Sequence, residues 1–66
     1  MTIGEIIKSL RNEYNMTQTE LANLLYTSQD TISLWERGKS LPDVKAVISM
    51  TKIFKVSADY LLGLEQ

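Results

Sequence analysis

The chain reads as an all-α domain of five short helices, an expectation carried by periodicity, capping and composition. Apolar residues recur three to four positions apart in five separate segments. Ahead of each segment stands a threonine, serine or aspartate, the residues whose side-chain oxygens cap the free amides of a helix start. With 44% hydrophobic residues, three glycines and one proline, the chain is too apolar for disorder and too poor in turn residues for a many-stranded barrel. Its 66 residues fit a single domain, 1-66. A domain of that size buries only about 60% of the surface of its unfolded form, so one small core is expected.

Helix one is announced by Thr2-Ile3-Gly4-Glu5, a capping box in which threonine and glutamate each satisfy the other's backbone amide. It runs to about Tyr14, with Ile3, Ile6, Ile7 and Leu10 on one stripe, and Asn15 suits the left-handed residue that stops it. A second capping box, Thr17-Gln18-Thr19-Glu20, opens helix two, and Met16 is placed to pack on Leu21. Leu21, Ala22, Leu24 and Leu25 give this helix its apolar side.

Only Tyr26 and Thr27 separate helix two from the segment Ser28 to Trp35, which Thr27 or Ser28 caps and Arg37-Gly38 closes. Two amphipathic helices joined so tightly cross steeply, and the small Ala22 permits close approach. With Ile32 and Trp35 turned inward, Gln29, Asp30, Ser33 and Leu34 are left on the outer face of helix three, as groups able to meet the edges of bases.

After the loop Lys39-Ser40-Leu41-Pro42, Asp43 caps helix four. Val44, Val47, Ile48, Met50, Ile53 and Phe54 occupy more of that helix than one core-facing stripe requires, while Lys45, Lys52 and Lys55 are solvent charges. Ser57 caps a last short helix, Ala58 to Leu62, closed by Gly63.

Absences narrow the chemistry. Without cysteine or histidine there is no disulfide, thiol nucleophile, imidazole base or usual zinc ligand, so neither catalysis, cofactor nor metal is expected. No apolar run approaches the roughly 20 residues of a membrane span, which leaves a cytoplasmic protein as the expectation. A net charge of −1 argues against indiscriminate attraction to phosphate, so a DNA role must rest on where charge is placed.

Leu10-Arg11, Thr17-Gln18-x-Glu20-Leu21-Ala22, Ser28-Gln29-x-Thr31-Ile32-Ser33-x-Trp35-Glu36-Arg37-Gly38, Pro42 and Val56-Ser57-x-Asp59-Tyr60-Leu61 together form a recognisable pattern. From about Ile3 to Gly63 the chain resembles the lambda-repressor and Cro-like (Xre-type) helix-turn-helix family. The resemblance implies a compact five-helix domain in which helices two and three form the helix-turn-helix and helix three, about Ser28 to Arg37, enters the major groove of double-stranded DNA. Gln29 would then read a base first, by the bidentate pairing that a glutamine makes with adenine. Asp30 would accept from a cytosine amino group or repel phosphate, and Thr31, Ser33 and Leu34 complete the implied base-reading set.

Phosphate contacts fall to Thr17, Gln18 and Ser28 at helix N-termini and to Arg37 and Lys39 beyond helix three. The resemblance also implies a structural ion pair, Arg11 with Glu36. In this family the C-terminal helix commonly dimerises, which makes Tyr60, Leu61 and Leu64 the implied interface of a homodimer. The implied function is a sequence-specific transcription regulator, a repressor on a near-palindromic operator. The alternative is a protein-interaction module of the same fold, antitoxin-like or regulator-binding. Three residues depart from the family pattern: Tyr26 and Lys55 replace glycines, and Leu34 stands where a polar or basic residue is usual.

Overall fold

The computed structural model describes residues 1–65, a globule of 30 × 23 × 21 Å. Its helices are α1 (Ile3–Glu13), α2 (Gln18–Leu24), α3 (Gln29–Glu36), α4 (Val44–Phe54) and α5 (Ala58–Leu61), with no strand among the described residues. All five starts are capped from the side chain: Thr2, Thr17, Ser28, Asp43 and Ser57 each accept from the backbone N–H three residues on. Both expected capping boxes are present, with Glu5 and Glu20 accepting from the amides of Thr2 and Thr17 at 2.8 Å. These hydrogen bonds hold the two carboxyl groups below the ordinary carboxylate range.

Every helix also stops in the same way, on a residue with left-handed backbone: Asn15, Tyr26, Gly38, Lys55 and Gly63. At Gly38 the amide reaches back to the Trp35 carbonyl at 3.1 Å and the next amide, Lys39, to that of Leu34 at 2.9 Å. The same crossed pair of bonds closes α1, where Asn15 and Met16 reach Asn12 and Arg11, and α2, where Tyr26 and Thr27 reach Asn23 and Ala22. Helix ends differ from the sequence reading by a residue: α2 stops at Leu24 with Leu25 as its cap, and α5 stops at Leu61 rather than Leu62.

The two departures from glycine therefore sit where the backbone is left-handed, at φ +57° for Tyr26 and +55° for Lys55. A side chain in that conformation costs roughly 1–2 kcal/mol. Tyr26 recovers little of it, being 97% exposed. Tyr26→Gly is expected to leave stability unchanged or raise it by ~1 kcal/mol, read as the denaturant midpoint; a clear loss would show that the ring packs in solution.

The core draws on every helix: Ile6, Ile7 and Leu10 of α1, Leu21 and Ala22 of α2, Ile32 and Trp35 of α3, Val47, Met50 and Phe54 of α4, and Leu61 of α5. Leu61 is 0% exposed, which corrects its assignment to a dimer interface. The family resemblance grouped it with Tyr60 and Leu64, yet of the three only those two are exposed, while Leu61 of α5 packs into the core beside α1 and α4. Leu24 and the α4 residues Val44 and Ile48 are likewise exposed, in keeping with the surplus apolar surface read on helix four.

Two contacts fix the helix frame. Gly4 is pressed on the C-terminal end of α3, where a Cβ would lie 2.1 Å from the Trp35 carbonyl oxygen and 2.9 Å from that of Glu36. Across the core, the Tyr14 hydroxyl donates to the Phe54 carbonyl at 2.8 Å while the two rings meet edge to face, centroids 5.4 Å apart. The ends of α1 and α4 are thereby tied together.

Candidate nucleic-acid interface

Because Ile32 and Trp35 are buried, α3 lies with one long side against the core and the other in solvent. Along the outer side, Gln29, Ser33 and Arg37 follow one another at four-residue spacing, with Asp30 and Leu34 beside them. Gln29, Asp30, Leu34 and Arg37 are exposed and Ser33 is half-buried. The Arg37 Nε donates to the Ser33 hydroxyl at 3.2 Å, so the far end of the face is a guanidinium resting on a hydroxyl.

Thr31 stands apart from this row. Two residues beyond Gln29, it is turned by about 160° around the axis. Its hydroxyl lies 2.9 Å from that of Ser28, and its side chain walls a groove shared with Tyr26, Trp35 and Ala46. The expected base-reading set is thus divided, with four residues on the outer face and Thr31 on its flank.

The expected phosphate contacts cluster at three places around the same face. Thr17 and Ser28 are the exposed N-caps of α2 and α3. Gln18 is the first residue of α2. Arg37 and Lys39 project from the other end of α3, where the Gly38 turn separates them by one residue.

Behind the face runs a set of hydrogen bonds that joins three helices. Arg11 of α1 grips Glu36 of α3 at both carboxylate oxygens, Nε to Oε2 at 2.7 Å and Nη2 to Oε1 at 3.0 Å, and donates Nη1 to the Met16 carbonyl at 2.8 Å. The two side chains are 11% and 4% exposed. Gln18 Nε2 donates to the same Glu36 Oε1 at 3.0 Å, and Gln29 Nε2 donates to Gln18 Oε1 at 2.6 Å. Burial alone would push the Glu36 carboxyl up, but hydrogen bonds from Arg11 and Gln18 prevail and hold it below its ordinary value. The Arg11 guanidinium is pushed up in turn by its bond to Glu36.

The ion pair was implied by the family resemblance, whereas the link from Gln18 to Gln29 was not anticipated. Its one sequence signal is that both glutamines open their helices, whose N-termini the turn brings together. Among the described residues no group of histidine, cysteine, aspartate or glutamate could hold a metal ion. No helix is long and apolar enough to cross a membrane.

The helix-turn-helix family model matches residues 7–61. The HTH-type transcriptional activator BcrR of Enterococcus faecalis is 39% identical over 66 residues, covering 100% of this chain and 32% of that protein. The HTH-type transcriptional regulator ImmR of Bacillus subtilis (strain 168) is 32% identical over 66 residues, covering 100% of this chain and 52% of its own length. The chain thus spans a third to a half of these curated relatives. Among solved structures, the P22 c2 repressor in complex with a synthetic operator superposes with a TM-score of 0.90 at 29% identity, over 98% of both chains. This chain belongs to the helix-turn-helix family and has the lambda-repressor type of five-helix fold.

Proposed function

We propose that the chain is a sequence-specific DNA-binding transcription regulator that lays α3 in the major groove of double-stranded DNA. The observation that carries this reading is the outward row of Gln29, Ser33 and Arg37 on a fold similar to that of a repressor described in complex with its operator. Gln29, Asp30, Ser33 and Leu34 face the base edges, Leu34 offering only apolar contact such as a thymine methyl accepts. Thr17, Gln18, Ser28, Arg37 and Lys39 hold the phosphates, and Thr31 supports the flank.

The action is repression by occupancy, as a homodimer on a near-palindromic site in the cytoplasm, without catalysis or cofactor. Exposed Tyr60 and Leu64 support the pairing surface. A two-fold pair would set two copies of α3 about 34 Å apart. Selection of bound duplexes from a random pool, followed by fluorescence titration against random competitor, tests the reading. A specificity ratio of about 10³ or more at physiological salt is expected; no ratio above background for any selected site would sink it.

Arg37→Ala is expected to weaken binding to all duplexes alike and to lower the slope of log affinity against log salt by about 1, the signature of one lost phosphate contact. An unchanged slope would remove Arg37 from the phosphate grip.

A further inference from the structure

On the outer face of α3, Asp30 and Leu34 stand one helical turn apart and both are exposed, a carboxylate beside an isobutyl group. Residues at this spacing have Cβ atoms about 5–6 Å apart, close enough for the two side chains to converge on one base. The fold makes little use of either. The amide of Thr31 at the start of α3 is capped by Ser28, and among the described residues the one ion pair is Arg11 with Glu36, so Asp30 has no cation. Leu34 is 37% exposed, whereas Ile32 and Trp35 supply the buried contact of α3 with the core.

A carboxylate turned toward DNA is repelled by the phosphates, and on a base edge only an amino donor offsets that repulsion. Two bases offer such a donor in the major groove, adenine at N6 and cytosine at N4. Adenine sets the acceptor N7 beside its amino group, where it opposes the carboxylate, while cytosine brings no acceptor of its own. The leucine needs an apolar group, and the one that base edges provide is a methyl on C5 of a pyrimidine, the carbon next to C4. Thymine bears that methyl but carries the acceptor O4 in place of the amino group. We propose that Asp30 and Leu34 together read 5-methylcytosine, Asp30 accepting from N4–H and Leu34 covering the C5 methyl, so that binding responds to cytosine methylation of the DNA site. No unmodified base satisfies both side chains.

This assignment rests on the proposed role of α3 as reader, and the experiment lets the two fail separately. The pyrimidine concerned is located in the selected site as the position whose preference changes most in Leu34→Ala. Duplexes carrying cytosine, 5-methylcytosine, thymine or uracil at that position combine presence and absence of the amino group with presence and absence of the methyl. Cytosine against 5-methylcytosine, and uracil against thymine, are compared with the opposite base unchanged. Wild type should bind 5-methylcytosine most tightly of the four, about fourfold more tightly than cytosine, the factor expected for burial of one methyl group.

Leu34→Ala should erase the difference between cytosine and 5-methylcytosine. Asp30→Asn, whose amide can also donate to O4, should keep that difference and lose most of the preference for 5-methylcytosine over thymine. Both positions are exposed, and the comparison of cytosine with 5-methylcytosine in wild type needs no variant at all. Equal binding of those two bases, a methyl gain that survives Leu34→Ala, or thymine matching 5-methylcytosine in wild type would each overturn the assignment. So would a selected site in which Leu34→Ala changes no position. All four outcomes leave the function intact, whereas absence of any base preference in wild type would sink the function itself.

Discussion

Gly4→Ala is expected to lower the melting temperature by roughly 10–20 °C, the largest effect of any single methyl group in this chain. The added Cβ would sit 2.1 Å from the Trp35 carbonyl oxygen, and that oxygen belongs to the backbone of α3, so no rotamer change relieves the clash. Either α1 lifts from α3 or the last turn of α3 unwinds. Lifting α1 opens the seam between α1 and α3, whose Ile7, Ile32 and Trp35 belong to one core, and a domain this small has only about 3–10 kcal/mol to lose. Thermal melting by circular dichroism checks it. A shift under 3 °C would mean that the helices can separate at little cost. Helix propensity works in the opposite direction, since alanine favours a helix by about 1 kcal/mol over glycine, so a loss isolates the steric term.

Arg11→Ala should destabilise by about 3–5 kcal/mol, because it leaves the Glu36 carboxylate, 4% exposed, without its cation. Arg37→Ala, an exposed position, should stay within about 0.5 kcal/mol. Equal melting temperatures for the two variants would remove the structural role of the pair. Acid provides a second check. Since the Glu36 carboxyl is held below its unfolded value, its stabilising contribution is complete above about pH 4.3 and is lost as pH falls through the lower folded value. In Arg11→Ala the same carboxyl is buried without its cation, so acidification relieves it. The melting temperatures of wild type and variant should therefore converge between pH 7 and pH 3, whereas Glu5 and Glu20, depressed in both proteins, shift the two together. A gap that stays constant with pH would assign the loss to packing of the Arg11 stem.

What the sequence made legible is what local chemistry determines. Thr2, Thr17, Asp43 and Ser57 announce their helices because a cap acts within three residues, and Ile32 and Trp35 announce the buried side of α3 because periodicity is also local. The pairing of Arg11 with Glu36 came from the family resemblance. Gly4 and Leu61 were misjudged or passed over for a shared reason. Gly4 looks like the interior of a capping box, and its need for absent volume is visible only when α3 lies against it. Leu61 looks like its exposed neighbours Tyr60 and Leu64 until the core closes over it. Thr31 belongs with Gln29 in a list of consecutive residues but not on a helix, where two positions reverse the direction of a side chain.

The five left-handed helix stops have a kinetic meaning. Each one reverses the chain with hydrogen bonds spanning at most six residues, such as Met16 to Arg11, Thr27 to Ala22 and Leu64 to Asp59. Chain reversal is therefore specified before distant parts of the polypeptide meet, and little loop-closure entropy stands between the unfolded ensemble and the transition state. Helical domains with such short-range wiring reach their native state in microseconds to milliseconds. A newly made chain would spend correspondingly little time with Leu21, Ile32 and Phe54 open to other molecules.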